Sequence, residues 1–148
     1  MLEFKFVKTQ NELESALDIR RNVFINEMGV PESIELDELD TLGSPCEHVL
    51  VLYNSKPVGT ARCNLISDSE LKIQRFCFLP QHRKNGFGKR LLEFIENEFS
   101  KRGFNYFYLE AKFAVYEFYE KCGYEKVSDV FMEANVPHVK MEKRLQRL

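Results

Sequence analysis

Residues 81–92, QHRKNGFGKRLL, follow the apolar run IQRFCFLP and decide the fold of this chain. The stretch places Gly86 and Gly88 among four lysine and arginine side chains, and an amphipathic run starts directly after them. An apolar strand, a glycine turn and an amphipathic helix in this order predict a strand–turn–helix crossover. The unpaired N–H groups and the positive dipole end of a helix N-terminus bind anions, phosphate in particular. The turn is therefore predicted to hold a diphosphate.

The glycine spacing excludes two common phosphate-binding motifs. The turn lacks the GxxxxGK[ST] spacing of the P-loop, and Leu91 stands where the GxGxxG dinucleotide fingerprint requires glycine. ATP and NAD are therefore disfavoured as ligands. A solvated basic helix start behind a glycine turn explains the same spacing without a ligand, so the spacing alone leaves both interpretations open.

The composition predicts one domain over residues 1–148, because 44% hydrophobic content can form a sizeable core. A net charge of −2 makes basic character local, which disfavours general binding to nucleic acid or membranes. No apolar stretch approaches the roughly 18–20 residues that span a bilayer, and the N-terminus alternates rather than resembling a signal peptide. We therefore expect a cytoplasmic protein, as a monomer or homodimer.

The four cysteines are scattered and form no CxxC pair. Each lies in an apolar or strand-like context, which is typical of reduced and mostly buried thiols. The sequence therefore predicts no metal site. The residues concerned are Cys46, Cys63, Cys77 and Cys122.

Hydrophobic periodicity predicts alternating strands and helices along the chain. Thr9 or Asn11 is expected to cap the first helix, and an acidic loop follows it. Three strands joined as hairpins come next, and a helix with Leu91, Leu92, Ile95 and Phe99 on one face follows the glycine turn. A further strand, a helix and two strands complete the pattern. The predicted segments are strands at 2–7, 47–54, 56–66, 69–79, 104–111 and within 124–145, and helices at 12–27, 86–102 and 114–123.

Two segments resemble motifs of the GCN5-related N-acetyltransferases (GNAT). Residues 73–96 resemble motif A, in which a strand leads into [R/Q]-x-x-G-x-[G/A] at a helix start, with Arg83, Gly86 and Gly88 at the signature positions. Residues 114–127, AVYEFYEKCGYEKV, resemble the later helix and strand of the family. The resemblance implies an α/β (α+β) GNAT fold: a single mixed, mostly antiparallel sheet with flanking helices and a splayed central strand pair.

The resemblance implies acetyl-CoA as acyl donor. The turn would hold its diphosphate, and the exposed edge of the preceding strand would pair with the pantetheine arm. A backbone N–H near Phe78 would stabilise the thioester oxygen. Lys112 departs from the family, which often has Asn or Gln at this position. The implied cofactor contacts are Phe76, Cys77, Phe78, Arg83, Lys84, Asn85, Gly86, Phe87, Gly88, Lys89, Lys112 and Tyr116.

Acetyl transfer to an amine needs a proton donor for the leaving thiolate and a base for the amine. Tyr119 occupies the family's general-acid position, and a phenol with an ordinary pKa of about 10 is protonated at pH 7. A core aromatic residue is the alternative interpretation of Tyr119. Candidate bases are Glu27, Asp37, Glu133 and His138, of which Glu27 and His138 join Tyr119 as predicted catalytic residues.

Both ends of the chain resemble the ElaA-like branch of the family, through R-x-x-V-F-x-x-E-x-x-[VI]-P, D-x-x-D and [IV]-P-H-[IV]-x-M. The acidic side chains of the first segment predict a cationic acceptor such as a primary amine, although a charge run is also typical of a solvated face. An amino acid, amino sugar, polyamine or peptide N-terminus remains open. The predicted substrate-binding residues are Arg20, Phe24, Asp37, Asp40 and Glu133.

Two other function classes stay open. A non-catalytic acyl-CoA sensor would keep the glycine turn but would need no acid or base. A relative of acyl-homoserine-lactone synthases would share the fold and a similar Arg-x-x-Val-Phe start. The main prediction is an acetyl-CoA-dependent N-acetyltransferase that moves the acetyl group directly to a primary amine of a small molecule or peptide.

Overall fold

The first helix starts at the capping box that its sequence predicts. The computed structural model describes residues 1–145, and α1 (Gln10–Arg20) follows β1 (Leu2–Phe6). Thr9 Oγ1 accepts the N–H of Glu12 at 3.1 Å, while Glu12 Oε1 accepts the N–H of Thr9 at 3.1 Å. Each side chain thus satisfies an N–H group that the helix leaves unpaired. Of the two predicted caps, Thr9 is the one used.

The helix then widens instead of continuing as one α-helix to residue 27. Residues Arg21–Glu27 form a π-helical segment, within which the N–H of Met28 bonds to the carbonyl of Val23 at 3.0 Å. This five-residue spacing is the pattern of a π-helix and often occurs at functional sites. The short helix α2 (Glu32–Glu35) follows inside the predicted acidic loop.

A single sheet contains the strands within residues 1–145. Its order is β1-β2-β3-β4-β5-β8-β6, with β7 paired to β8, and β4–β5 is the parallel pair in an otherwise antiparallel arrangement. This confirms the predicted mixed, mostly antiparallel sheet with flanking helices. The remaining bounds are β2 (Cys46–Tyr53), β3 (Lys56–Leu65), β4 (Glu70–Phe78), α3 (Phe87–Ser100), β5 (Tyr106–Lys112), α4 (Tyr116–Lys121), β6 (Glu125–Lys126), β7 (Phe131–Glu133) and β8 (Val136–Arg144).

The parallel strands separate along their length. β4 and β5 pair from Glu70↔Tyr106 to Ile73↔Leu109, and within the described chain no pair joins them beyond this point. A bulge at Arg75, whose φ is 53°, shifts the register between β3 and β4. Because a bulge inserts one residue, it reverses the alternation of side chains along the strand. The central strand pair is therefore splayed, as the family resemblance implies.

Helices cover both faces of the sheet. α3 packs on one face with the predicted apolar stripe, whose members Leu91, Leu92, Ile95 and Phe99 are all buried in the main core. α1 packs on the other face, where Ala16 and Ile19 contact a smaller apolar cluster. The two faces of the splayed pair are thus covered by different helices, α3 on one face and α1 on the other.

The cysteines are free thiols, three of them buried and Cys122 half-buried, as predicted. The described residues contain no group of histidine, cysteine and carboxylate side chains arranged to hold a metal ion. None of the helices within residues 1–145 combines the length and apolar character that a membrane span requires.

Candidate active site

The turn before α3 presents open backbone. Gly86 caps the helix with φ 84° and ψ 0°, and a Cβ at this position would meet no atom within 4 Å. In the described part of the chain no side chain caps the helix end at Gly86, although Asn85 Oδ1 accepts the N–H of Phe87 at 3.2 Å. The first N–H groups of a helix have no partner within it. The exposed side chains of Lys84 and Lys89 add positive charge beside this turn.

The second glycine of the turn has a different structural cause. A Cβ at Gly88 would lie 2.9 Å from the Phe118 ring and 3.6 Å from the Phe76 ring. Glycine is therefore needed here because α4 and β4 approach α3 closely, not because the position is open. This close approach places the start of α3 beside the splayed end of β4.

The Arg83 guanidinium holds the turn to two neighbouring elements. Its Nε donates to the Phe78 carbonyl at 2.9 Å, and its two terminal nitrogens bind the Glu27 carboxylate at 2.8 and 2.7 Å. The hydrogen bond from Arg83 lowers the pKa of Glu27. Glu27 is thus a weaker base than a free carboxylate. Arg83 stabilises the turn, and its guanidinium is bound to Phe78 and Glu27.

The splayed edge of β4 offers a backbone donor to the gap. The Leu79 N–H bonds to the Val58 carbonyl on β3 at 2.9 Å. Successive residues of a strand direct their N–H groups to opposite sides, so the Phe78 N–H is directed away from β3 and toward the gap. Cys77 lies between the two phenylalanines on the other face, and burial raises the pKa of its thiol. The Cys77 thiol is therefore a packing group rather than an acyl carrier.

Tyr119 lies at the gap on the α3 face. Its ring contacts those of Phe76, Phe118 and Tyr124 at centroid distances of 6.0, 5.0 and 6.2 Å. Burial raises the pKa of the phenol, so the hydroxyl stays protonated. Within residues 1–145 no group hydrogen bonds to this hydroxyl, and its oxygen is not among the fully enclosed unpaired atoms. A protonated hydroxyl is thus present on a ring that packs against Phe76 of β4.

Tyr116, a predicted cofactor contact, lies one helical turn before Tyr119. Its ring stacks on Phe113 at 4.9 Å, and the Lys126 ammonium lies 4.3 Å from its centroid. The Tyr116 ring is therefore held by its neighbours at the start of α4.

Lys112 and His138 occupy the opposite face. They are directly paired between β5 and β8. The Lys112 ammonium lies 5.7 Å from the Phe24 ring centroid and 2.6 Å from Met28 Sδ. Burial lowers the pKa of Lys112.

The environment of His138 fixes its tautomer. Its Nδ1 lies 2.7 Å from the Val136 carbonyl, which can only accept, so Nδ1 carries the proton. The neutral ring then has its lone pair on Nε2, which faces Glu133 Oε2 at 3.7 Å. The ring also stacks on Phe131 at a centroid distance of 6.2 Å. His138 thus presents a basic nitrogen toward Glu133.

The structure argues against acceptor contact by Arg20 and Asp40, which the sequence assigned to substrate binding. Arg20 is 0% exposed and donates to Glu35 at 2.7 Å and to both Asp40 oxygens at 2.6 and 3.0 Å. Arg62 donates to Asp40 and Asp37 at 3.0 and 2.7 Å. These side chains form a buried charge network that ties the α1–α2 segment to the sheet.

The pKa values of two carboxylates in this network are shifted in opposite directions. Burial alone would raise the pKa of Asp40, but the hydrogen bonds from Arg20 and from the Asp37 backbone bring it to about 2. At Glu35 burial prevails over the attraction of Arg20 and Arg75, so its pKa is raised. Asp37 is half-buried and shared between Arg62 and Arg75.

Sequence reasoning missed the residues that complete the network. Arg62 and Arg75 come from separate strands, at separations of 22 and 40 residues from Asp40 and Glu35. Buried His48 lies opposite Arg62 in the sheet, and within residues 1–145 neither of its ring nitrogens has a hydrogen-bond partner. A basic residue inside an alternating strand is the signal that was available, because its side chain must face either solvent or a buried anion.

Comparison with known proteins identifies the family. A model of the acetyltransferase (GNAT) domain matches residues 10–145. The chain belongs to the GNAT acetyltransferase family. It is 38% identical over 146 residues to the uncharacterized Bacillus subtilis protein YyaT, covering 99% of this chain and 98% of that protein. It is 34% identical over 137 residues to the uncharacterized N-acetyltransferase YjcF of the same organism, covering 92% and 95%.

Solved structures share the GNAT fold over the whole chain. A candidate N-acetyltransferase from Lactobacillus plantarum superposes with a TM-score of 0.90 at 28% identity, covering 98% of this chain and 99% of that one. Escherichia coli ElaA gives 0.85 at 23%, covering 97% and 100%. An aminoglycoside 6'-N-acetyltransferase complexed with coenzyme A gives 0.78 at 20%, covering 100% and 99%. At identities of 23% and 20% the likeness shows the fold alone.

Proposed function

We propose that this GNAT acetyltransferase moves the acetyl group of acetyl-CoA directly to a primary amine. The observation that carries the proposal is the gap between β4 and β5, which has unpaired polar groups at its border. The Phe78 N–H is directed into it, the Gly86 turn lies beside it, and the Tyr119 hydroxyl has no partner among the described residues.

The turn and the β4 edge fit the donor. The N–H groups at the start of α3 would bind the diphosphate, and the open space at Gly86 lets phosphate approach the backbone. The free edge of β4 would pair with the amides of the pantetheine arm, as an added strand does. Phe78 N–H would then stabilise the negative charge that develops on the thioester oxygen.

Proton transfer completes the reaction. The amine nitrogen forms a bond to the acetyl carbon, the bond between carbon and sulfur breaks, and the thiolate leaves. Tyr119 supplies the proton to that thiolate, because burial keeps its hydroxyl protonated near neutral pH. The amine loses its proton to a base on the opposite face.

Of the four candidate bases, His138 suits this step best. When the ring is neutral, its lone pair lies on Nε2, because Nδ1 donates to the Val136 carbonyl. Glu27 is bound by both terminal nitrogens of Arg83, and Asp37 is bound by Arg62. Glu133 lies beside His138 and would orient the ring or the acceptor.

The test is an amine library incubated with acetyl-CoA, in which release of free thiol is followed. Thiol release that requires an amine, with an acetylated product of the matching mass, is the expected result. Binding of acetyl-CoA without thiol release from any amine would instead favour the sensor interpretation. The matched variant is Tyr119→Phe, which should bind acetyl-CoA but turn over slowly.

A further inference from the structure

The splayed strands sort their side chains onto two faces. On β5, Phe107, Leu109 and Ala111 belong to the core beneath α3, so alternation places Lys112 on the α1 face. The Lys112 side chain accordingly contacts Phe24 and Met28 of the segment after α1. The start of α3 approaches Phe76 and Phe118 on the other face.

His138 shares the α1 face with Lys112. The two residues are direct partners in the β5–β8 pair, and such partners have Cβ atoms about 4.5–5.5 Å apart. A cation and a base thus stand side by side at the gap, on the face that the glycine turn does not use. This face is the approach for the acceptor under the proposed function.

Four acidic side chains near this face are paired with arginines. Glu35, Asp37 and Asp40 are bound by three guanidinium groups, and Glu27 is bound by a fourth. These four carboxylates are matched by four arginines and contribute little net field themselves, whereas Glu32 and Glu38 of the same segment are exposed and take no part in these ion pairs. Glu133 lies beside His138, pairs with no arginine among residues 1–145, and has a side chain that is 53% exposed.

Lys112 differs from these paired carboxylates. Its ammonium is half-buried, and in the described part of the chain no carboxylate lies within 4 Å of it. The aromatic ring of Phe24 and the sulfur of Met28 are its neighbours. Partial burial lowers the pKa of this ammonium although Glu27 and Glu35 attract it from beyond 4 Å, and an anionic ligand group in direct contact would offset the remaining cost.

We propose that the acceptor is an amine that also carries a carboxylate, of the amino acid class, and that Lys112 binds this carboxylate. The amine then lies toward His138, since the two side chains are neighbours across the strands. This inference rests on the proposed function and replaces the expected pantetheine contact of Lys112 by an acceptor contact. It also excludes polyamines as preferred acceptors.

The test compares amino acids with their amides and their decarboxylated amines, so that each set differs at the carboxylate. Lys112→Met removes the ammonium and keeps a long apolar stem. Lys140→Met is the matched control, because Lys140 lies on the same face of β8 as His138, two residues farther along the strand, and its ammonium is 4.7 Å from the Tyr108 ring centroid. Initial rates are measured for each acceptor and for acetyl-CoA.

In the wild type, kcat/KM for the amino acid should exceed that for its amide by at least about tenfold. Lys112→Met should abolish this preference and leave the KM for acetyl-CoA unchanged, and Lys140→Met should retain the preference. Equal use of amino acids and amides by the wild type would overturn the proposal. If Lys112→Met weakened acetyl-CoA binding as much as acceptor binding, Lys112 would be a contact of acetyl-CoA and the proposal would be wrong.

Calorimetry on the CoA-loaded protein separates this inference from the proposed function. Selective binding of amino acids over decarboxylated amines, lost in Lys112→Met, supports the carboxylate site even if no thiol is released. Such binding without turnover would overturn the transferase proposal alone. Binding without selectivity would overturn the carboxylate site whether or not acetyl transfer occurs.

Discussion

Two polar regions adjoin β4 and differ in how their groups are paired. In the buried charge network, Arg20 is 0% exposed and its donors are bound to Glu35 and Asp40. Beside β4, the Phe78 N–H is directed away from β3 toward the gap, and the Tyr119 hydroxyl has no hydrogen-bond partner among the residues described.

The difference distinguishes polar groups that stabilise the fold from polar groups that are available to bind a ligand. Both regions contain residue types that sequence reasoning linked to function. Charge alone does not tell them apart, because a buried carboxylate is satisfied by a nearby arginine and an isolated hydroxyl is satisfied by a substrate. If this distinction is correct, changes in the network should alter stability, and changes at the gap should alter activity.

The largest effect is expected from Arg20→Met. Removing the buried guanidinium leaves Asp40 with Arg62 and Glu35 with Arg75 as their remaining counterions, and the lost ion pairs should lower the free energy of unfolding by about 3–5 kcal/mol. Urea denaturation measures this change. Arg21→Met is the control, because Arg21 is a partly exposed neighbour on the same turn and its loss should cost less than about 1 kcal/mol. Equal effects in both variants would show that the network contributes no special stability.

The next largest effect is expected from Tyr119→Phe, which removes only the hydroxyl. We expect kcat to fall roughly 10²-fold, equivalent to about 2.7 kcal/mol, with acetyl-CoA affinity and stability little changed. Steady-state kinetics and calorimetry test this. Tyr108→Phe, on the opposite face of β5, controls for loss of a tyrosine hydroxyl. A wild-type rate in Tyr119→Phe would assign Tyr119 to the core.

Low pH should reduce the stability that the charge network contributes, because Asp40 becomes protonated. Its pKa of about 2 lies below the unfolded value near 3.9, so its contribution is complete above about pH 4 and is lost as the pH falls to about 2. The loss is on the order of 2 kcal/mol. Glu35, whose pKa is raised, acts with the opposite sign and in a higher window, so that it lowers stability as the pH rises above about 4.

Urea unfolding between pH 2 and 5 tests this titration. Asp40→Asn should be less stable at neutral pH and should depend less on pH over this interval. The same slope in the variant and the wild type would contradict the role given to Asp40.

The smallest effect is expected at the turn, where Gly86→Val should weaken acetyl-CoA binding by at least about tenfold, or ~1.4 kcal/mol. Gly43→Val is the matched control, because Gly43 has φ 83° and also meets no atom within 4 Å of an added Cβ. Both variants strain the backbone, yet only one should lose affinity in calorimetry. Equal affinities would contradict the anion site. Gly88→Val is unsuitable because it would strike Phe118.

The sequence predicts the fold well where local pattern and structure agree. The Gly86 turn, the stripe of α3 and the cap at Thr9 are local features, and each follows from residues within a few positions. The bulge at Arg75 was not predicted, because an inserted residue leaves the apolar pattern of a buried strand almost unchanged.

The candidate site was predicted less completely than the fold. The sequence shows the acidic residues of the first loop, and a cationic acceptor was the natural expectation. It does not show that Arg62 and Arg75 arrive from β3 and β4 to neutralise them. Pairings over 22 to 40 residues depend on strand register, which is set by tertiary packing.

The splay of β4 from β5 also determines how solvent reaches individual amides. Amides of the paired segment from Glu70 to Ile73 are held in the sheet and should exchange slowly with deuterium. The Phe78 amide, directed into the gap, should exchange quickly in the free protein. A ligand bound along β4 would slow deuterium exchange of the Phe78 amide. Exchange at this amide would therefore report binding even of a ligand whose chemical identity is unknown.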